Sequence, residues 1–146
     1  MRIRHADEAD LPDLRRLDTE LFPALAYPHF VLRQLLELHP DGLFVLEDDA
    51  SLHGYILSAT TEDSTEAWIL SLGVSEKLRG RGQGRRLMQQ ALRNLRDAEV
   101  QQVLLTVEPA NAAAIALYMS LGFTLQGHLK DYFGMGHDRL LLGRRL

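Results

Sequence analysis

Val74-Ser75-Glu76-Lys77-Leu78-Arg79-Gly80-Arg81-Gly82-Gln83-Gly84-Arg85 joins two segments of different periodicity. Before it, Ala67-Trp68-Ile69-Leu70-Ser71-Leu72-Gly73-Val74 reads as a largely apolar strand whose glycine marks a bulge or a close backbone approach. After it, Leu87, Met88, Ala91, Leu92 and Leu95 form one apolar stripe of a helix predicted over residues 84–97. The first N–H groups of a helix have no intrahelical partner and carry the positive end of its dipole. Phosphate oxygens are natural ligands for such an end. Gly80, Gly82 and Gly84 let a ligand approach the backbone, and Arg79, Arg81, Arg85 and Arg86 add positive charge.

Two common nucleotide turns are excluded. A P-loop needs Gly-Lys-Ser/Thr, and here Gly84 is followed by Arg85-Arg86. A dinucleotide fingerprint needs G-x-G-x-x-G, but the last position is Arg85 counting from Gly80 and Leu87 counting from Gly82.

Working outward, Ile3 lies in a first short strand, and Asp7 with Asp10 makes a capping-box start for a helix lined by Leu11, Leu14, Leu17 and Leu21. Pro23 ends that helix. Phe30, Val31, Leu35 and Leu38 mark a second, stopped by Pro40-Asp41-Gly42. Residues 43–46 and 52–59 read as strands, with Trp68 expected in the core of the next. Residues 100–107 form a further strand. Asn111 caps a helix ending at Leu121-Gly122, and two strands follow near 123–130 and 138–145. The order βααβββαβαββ predicts an α+β (mixed α/β) fold. Its sheet of about seven strands is mostly antiparallel, with helices on both faces and a local parallel pair in the second half.

The 146 residues, with no linker or repeat, predict one domain over 1–146. A net charge of -4 implies no general attraction to nucleic acid or anionic lipid. The charged start Met1-Arg2-Ile3-Arg4-His5 does not read as a signal peptide, and no apolar run approaches a membrane span. No membrane partner and a cytoplasmic protein are therefore expected. With no cysteine, disulfides, zinc–thiolate sites and an acyl-cysteine intermediate are excluded. The six scattered histidines show no metal-ligand spacing, so no metal is expected.

The chain resembles the GNAT superfamily of acetyltransferases. Their Gln/Arg-x-x-Gly-x-Gly/Ala signature is matched by Arg79-x-x-Gly82-x-Gly84. A second block is matched by Asn111-Ala112-Ala113-Ala114-Ile115-Ala116-Leu117-Tyr118-Met119-Ser120-Leu121-Gly122-Phe123. Within the superfamily it looks most like ribosomal-protein alanine N-acetyltransferases and related N-terminal amine acetyltransferases, through the second block and Asp131-Tyr132-Phe133. The resemblance implies acetyl-CoA as donor and a splayed parallel strand pair. Leu72-Gly73-Val74 would hold the pantetheine arm, Gly80, Arg81, Gly82, Gln83, Gly84 and Arg85 the pyrophosphate, and Asn111 the cofactor's vicinity. Tyr118 would protonate the leaving thiolate.

Transfer to an amine also needs a base and an oxyanion donor. Thr106 stands where the alanine N-acetyltransferases carry glutamate, five residues before the asparagine, and cannot serve as a base. Glu108, two residues on, points to the same side if the strand stays regular. Glu62, Glu66 and a water chain are the alternatives. Tyr132 and Phe133 read as a rim over the acceptor, and Tyr27, Pro28 and Phe30 as the opposite wall. The expected acceptor is a primary amine, either a peptide N-terminus or a small molecule, in a ternary complex. A non-catalytic acyl-CoA sensor and a small-molecule acetyltransferase are the competing readings. A homodimer is one assembly the sequence leaves open.

Overall fold

A computed structural model describes residues 1–146. The elements are β1 (Arg2–His5), α1 (Leu11–Leu21), α2 (His29–Leu38), β2 (Leu43–Glu47), β3 (Leu52–Thr60), β4 (Glu66–Val74), α3 (Gln83–Asp97), β5 (Gln102–Val107), α4 (Ala112–Ser120), β6 (Thr124–Leu129) and β7 (Arg139–Arg145). This is the order read from the sequence. One seven-stranded sheet runs β1-β2-β3-β4-β5-β7-β6. Only β4 and β5 pair in parallel, connected through α3. The second strand–helix–strand segment gives no such pair, because β7 inserts between β5 and β6, antiparallel to both.

Strand alternation sorts the core into two layers. In β2, Leu43 and Val45 face α1 and α2, where they meet Leu11, Leu14, Leu17, Leu32 and Tyr55. Phe44 and Leu46 face the other way, onto Leu87, Met88, Ala91, Leu92 and Leu95 of α3. Each such leucine contributes about 1.5–3 kcal/mol by leaving water. The capping box at Asp7 and Asp10 is present and opens a short 3-10 turn at Glu8–Asp10 ahead of α1. α2 buries Leu32, while Phe30 and Leu38 are 64% and 73% exposed. One expectation fails. Trp68 is half-buried, because it projects to the α1–α2 side of β4, opposite the core residues Ala67 and Ile69. No helix is long and apolar enough to cross a membrane.

Two irregularities of β4 position the site. Its parallel register with β5 runs from Glu66–Gln102 to Ile69–Leu105 and stops there. At the same point the β3 register slips, with Ser58 opposite Ile69 and Leu57 opposite Ser71, so Leu70 is the extra residue of a bulge. Beyond the bulge β4 stays paired with β3 but leaves β5. The strands diverge, and residues 70–74 have no partner on their second edge.

Candidate active site

The divergence opens into a cavity of about 1300 Å³. Leu70, Leu72, Gly73 and Val74 form one wall, and Leu105 to Ala110 form the facing one. The turn before α3 closes one end, while the α1–α2 segment with Phe133 and residues 136–139 closes the other.

At the turn end, Gly80 and Gly82 have φ of 76° and 77°, the left-handed region that favours glycine. Gly82 is the N-cap of α3 and offers no side-chain cap. The first intrahelical bond runs from Arg86 N–H to Gly82 C=O at 3.1 Å, so the amides of residues 83–85 are free of the helix ladder. A Cβ at Gly80 or Gly82 would meet no atom within 4 Å, so both backbones stand open to an approaching group. Gly84 differs: a Cβ there would lie 3.4 Å from Leu117, at the packing of α3 on α4. Arg79 donates to Val74 C=O at 3.4 Å, and Arg85 donates to Ser120 Oγ at 2.6 Å. Arg79, Gly80, Gly82, Gln83, Gly84 and Arg85 all line the cavity; Arg81 does not and is exposed. The uncapped helix end fits a pyrophosphate, and the free edge of residues 70–74 fits an amide-bearing arm.

Asn111 caps α4, its side chain accepting from Ala114 N–H at 3.2 Å. Two turns on, Tyr118 is 7% exposed and lines the cavity. Burial pushes its phenol up to about 12, with the nearby Arg139 guanidinium opposing. The phenol therefore remains a proton donor at neutral pH.

At the other end, β5 finishes at Val107, so Glu108 lies just past the strand, exposed and still lining the cavity. Three carboxylates line the cavity. Asp138 accepts from Asp131 N–H at 2.9 Å and pairs with His128 at 3.1 Å. Asp18, 2% exposed, accepts from the Tyr55 hydroxyl and from Tyr27 N–H at 2.7 Å. Ser71 in turn donates to the Tyr55 oxygen at 3.3 Å. Burial, then the Asp18 bond, raises the Tyr55 phenol, and burial followed by the Asp18 charge raises Tyr27. Glu108 alone has no protein donor on its carboxylate.

Glu62 and Glu66 are not part of this arrangement. They lie in and after the β3–β4 turn, where β4 begins, while the cavity opens at its far end. Glu66 stands four positions before Leu70 of the bulge, roughly 13 Å along the strand, and Glu62 lies in the turn beyond it. Tyr27 and Phe133 line the cavity. Tyr132 stacks on Phe133 at 5.3 Å without reaching the cavity, and Pro28 and Phe30 also lie outside it.

Two residues were missed in the sequence. Asp18 looks like one more acid on a solvated helix face. Arg139 looks like the charged start of an edge strand, yet it lines the cavity. It donates to Thr106 Oγ1 at 3.2 Å and Thr106 C=O at 3.0 Å, and its guanidinium lies 4.6 Å from the Phe133 ring centre. Burial lowers its pKa, opposed by Glu108 and the two tyrosines at 118 and 27. No group of side chains in the structure has the makings of a metal site.

Residues 9–123 match the model of the acetyltransferase (GNAT) family. The chain belongs to the GNAT family of acetyltransferases. As a GNAT enzyme it uses acetyl-CoA as donor. It is 28% identical to an N-alpha-acetyltransferase of Sulfurisphaera tokodaii over 99% of this chain and 93% of the relative. Its fold superposes with a TM-score of 0.91 on Ard1 from Thermoplasma volcanium, at 26% identity over 99% and 97% of the two chains. The ribosomal-protein-alanine N-acetyltransferase of Brucella melitensis superposes with a TM-score of 0.86 at 28% identity, each chain covered over 100%.

Proposed function

We propose that this GNAT enzyme acetylates a peptide N-terminus within a ternary complex, with Tyr118 as general acid and Glu108 as general base. The observation that carries the roles is the cavity itself, which is lined by a buried phenol and by a single donor-free carboxylate, both close enough to Arg139 to act on its charge. The amine acceptor is drawn from the relatives, which act on N-terminal or alanine amines by name and align along nearly the whole chain.

In this reading, the amides of residues 83–85 and Gly80 hold the pyrophosphate, with Arg79 and Arg85 beside them. The free edge of Leu72, Gly73 and Val74 pairs with the pantetheine arm, and Asn111 fixes the start of α4 against it. The amine enters between Tyr27 and Phe133. Glu108 takes a proton from the ammonium, directly or through one water, the neutral nitrogen attacks the thioester carbonyl, and the second nitrogen proton leaves by the same water route as the intermediate collapses. A backbone N–H of the open edge of β4 stabilises the developing oxyanion. The C–S bond then breaks and the Tyr118 hydroxyl delivers a proton to sulfur. Each proton transfer is worth about 10²–10⁴-fold, which suffices for a leaving group as good as a thiolate.

Coenzyme A release measured with N-terminal peptides beside free amino acids and polyamines tests the reading. Peptides are expected to be the better acceptors. Tight cofactor binding without acetylation of any amine would make the chain a sensor, and turnover of small amines alone would make it a small-molecule enzyme.

A further inference from the structure

Arg139 is more than the acid–base scheme requires. Its surroundings differ from those of Arg4, another partly buried arginine. Arg4 is held by Asp10 through two bonds of 2.8 Å and by Glu47 at 2.9 Å and 3.0 Å. Arg139 has no carboxylate within the 4 Å of an ion pair, although Glu108 is its neighbour. A guanidinium taken out of water without an anion is unfavourable, and a ring face offsets only part of that. The Thr106 bonds and the Phe133 ring fix the plane of the fork while using only two of its five N–H groups. The remaining donors belong to the acceptor end of a cavity in a chain whose net charge is -4. A planar, oriented, unpaired fork is suited to a carboxylate.

We infer that Arg139 receives an acidic side chain of the acceptor, so that this enzyme prefers peptides carrying Asp or Glu at the first or second position. The inference rests on the N-terminal acceptor reading above and adds a specificity determinant to it. The same charge disfavours a lysine near the N-terminus, and it disfavours the ammonium form of the incoming amine.

Matched peptides with Ala, Asp, Glu or Lys at positions 1 and 2, together with free aspartate and glutamate, are compared by coenzyme A release. The wild type, Arg139→Gln and Arg139→Glu are each tested, with calorimetric acetyl-CoA affinity confirming a folded donor site in the variants. The expected wild-type kcat/KM favours acidic over alanine peptides by about tenfold or more, the scale of a charge-assisted hydrogen bond. Arg139→Gln should erase that preference, and Arg139→Glu should turn it toward lysine. Equal use of acidic and neutral peptides, or a preference that survives Arg139→Gln, overturns the inference and leaves the peptide reading standing. Acetylation of free acidic amino acids with all peptides inert supports Arg139 as anion receiver and overturns the peptide reading. Acetylation of none of them overturns both.

Discussion

The Tyr55 ring lies against the backbone of Gly73, its register partner across β3 and β4, so closely that a Cβ at Gly73 would stand 2.6 Å from the ring edge. The glycine therefore has a packing reason apart from the cofactor. It lets the phenol lie flat, reach Asp18 and receive Ser71, which ties the bulged strand to the α1–α2 wall of the acceptor end. Leu21 would also stand 2.8 Å from that Cβ. Gly73→Ala is expected to lower stability by about 1–3 kcal/mol through overpacking. Urea unfolding measures this, and a loss below about 0.5 kcal/mol would mean that the ring has room to move.

The buried Asp18 makes a separable prediction. Asp18→Asn keeps the volume but can accept through only one oxygen, so either Tyr55 or Tyr27 N–H loses its partner. The cost of one stranded buried group is about 1–3 kcal/mol. Tyr27 lines the cavity at the end proposed for the acceptor, so on that proposal the acceptor KM should rise several-fold while acetyl-CoA affinity stays constant. Steady-state kinetics at saturating donor separate the two, and a matching loss of donor affinity would count against an acceptor-side role.

At the turn end, Gly82→Ala meets no steric obstacle, yet the residue must hold a φ of 77°. Left-handed backbone costs an alanine about 1–2 kcal/mol. Alanine should either destabilise the fold by that amount or shift the N-terminus of α3 and weaken acetyl-CoA binding. Gly84→Ala, at ordinary contact distance from Leu117, should do much less. Paired thermal melts with and without acetyl-CoA distinguish the positions.

The sequence carried the element order because each segment has its own period and its own punctuation. The Gly80–Gly84 turn, the Asn111 cap and the capping box at Asp7 are all local chemistry, and all are found where they were read. What it hid depends on residues meeting across the sheet. The bulge at Leu70 is a mismatch between β3 and β4, with no local mark of its own. Phe30 and Leu32 are both apolar, and only the docking of α2 decides that Leu32 is the buried one. Glu62 stood near the cofactor strand in sequence but at its wrong end in space. Asp18 and Arg139 looked like surface charges because the tyrosines, threonine and phenylalanine that bury them lie far away in the chain.

Part of the acid sensitivity should trace to Asp10, Glu47 and Arg4, beside the depressed Asp48, Asp63 and Asp138. Arg4 bonds hold the carboxyl of Asp10 below its ordinary 3.8, helped by Asp7 N–H and opposed by burial. Arg4 likewise lowers Glu47. A depressed carboxylate contributes stability that is fully present above the unfolded pKa and is lost as pH falls through the folded one. The wild type should therefore lose stability below about pH 4. Arg4→Met should flatten that slope while lowering stability at pH 7, and denaturant midpoints from pH 2 to 7 report both. An unchanged slope would locate the acid-labile groups elsewhere.

Tyr118 and Glu108 are distinguished by pH as well as by turnover. With its phenol pushed up to about 12, Tyr118 stays protonated through the working range. The kcat/KM profile should then show no fall below about pH 10 from loss of this acid, and its rising limb should follow deprotonation of the base and the acceptor amine. Tyr118→Phe should lower kcat at least about tenfold with little change in acetyl-CoA affinity, because only the proton to sulfur is lost. Glu108→Gln should also lower turnover. Its signature is partial rescue at high pH, where the acceptor amine is already neutral. If Glu108→Gln kept wild-type turnover at neutral pH, the proton would be leaving by another route, and Asp18, with both oxygens occupied by Tyr55 and Tyr27, would be the next carboxylate to test.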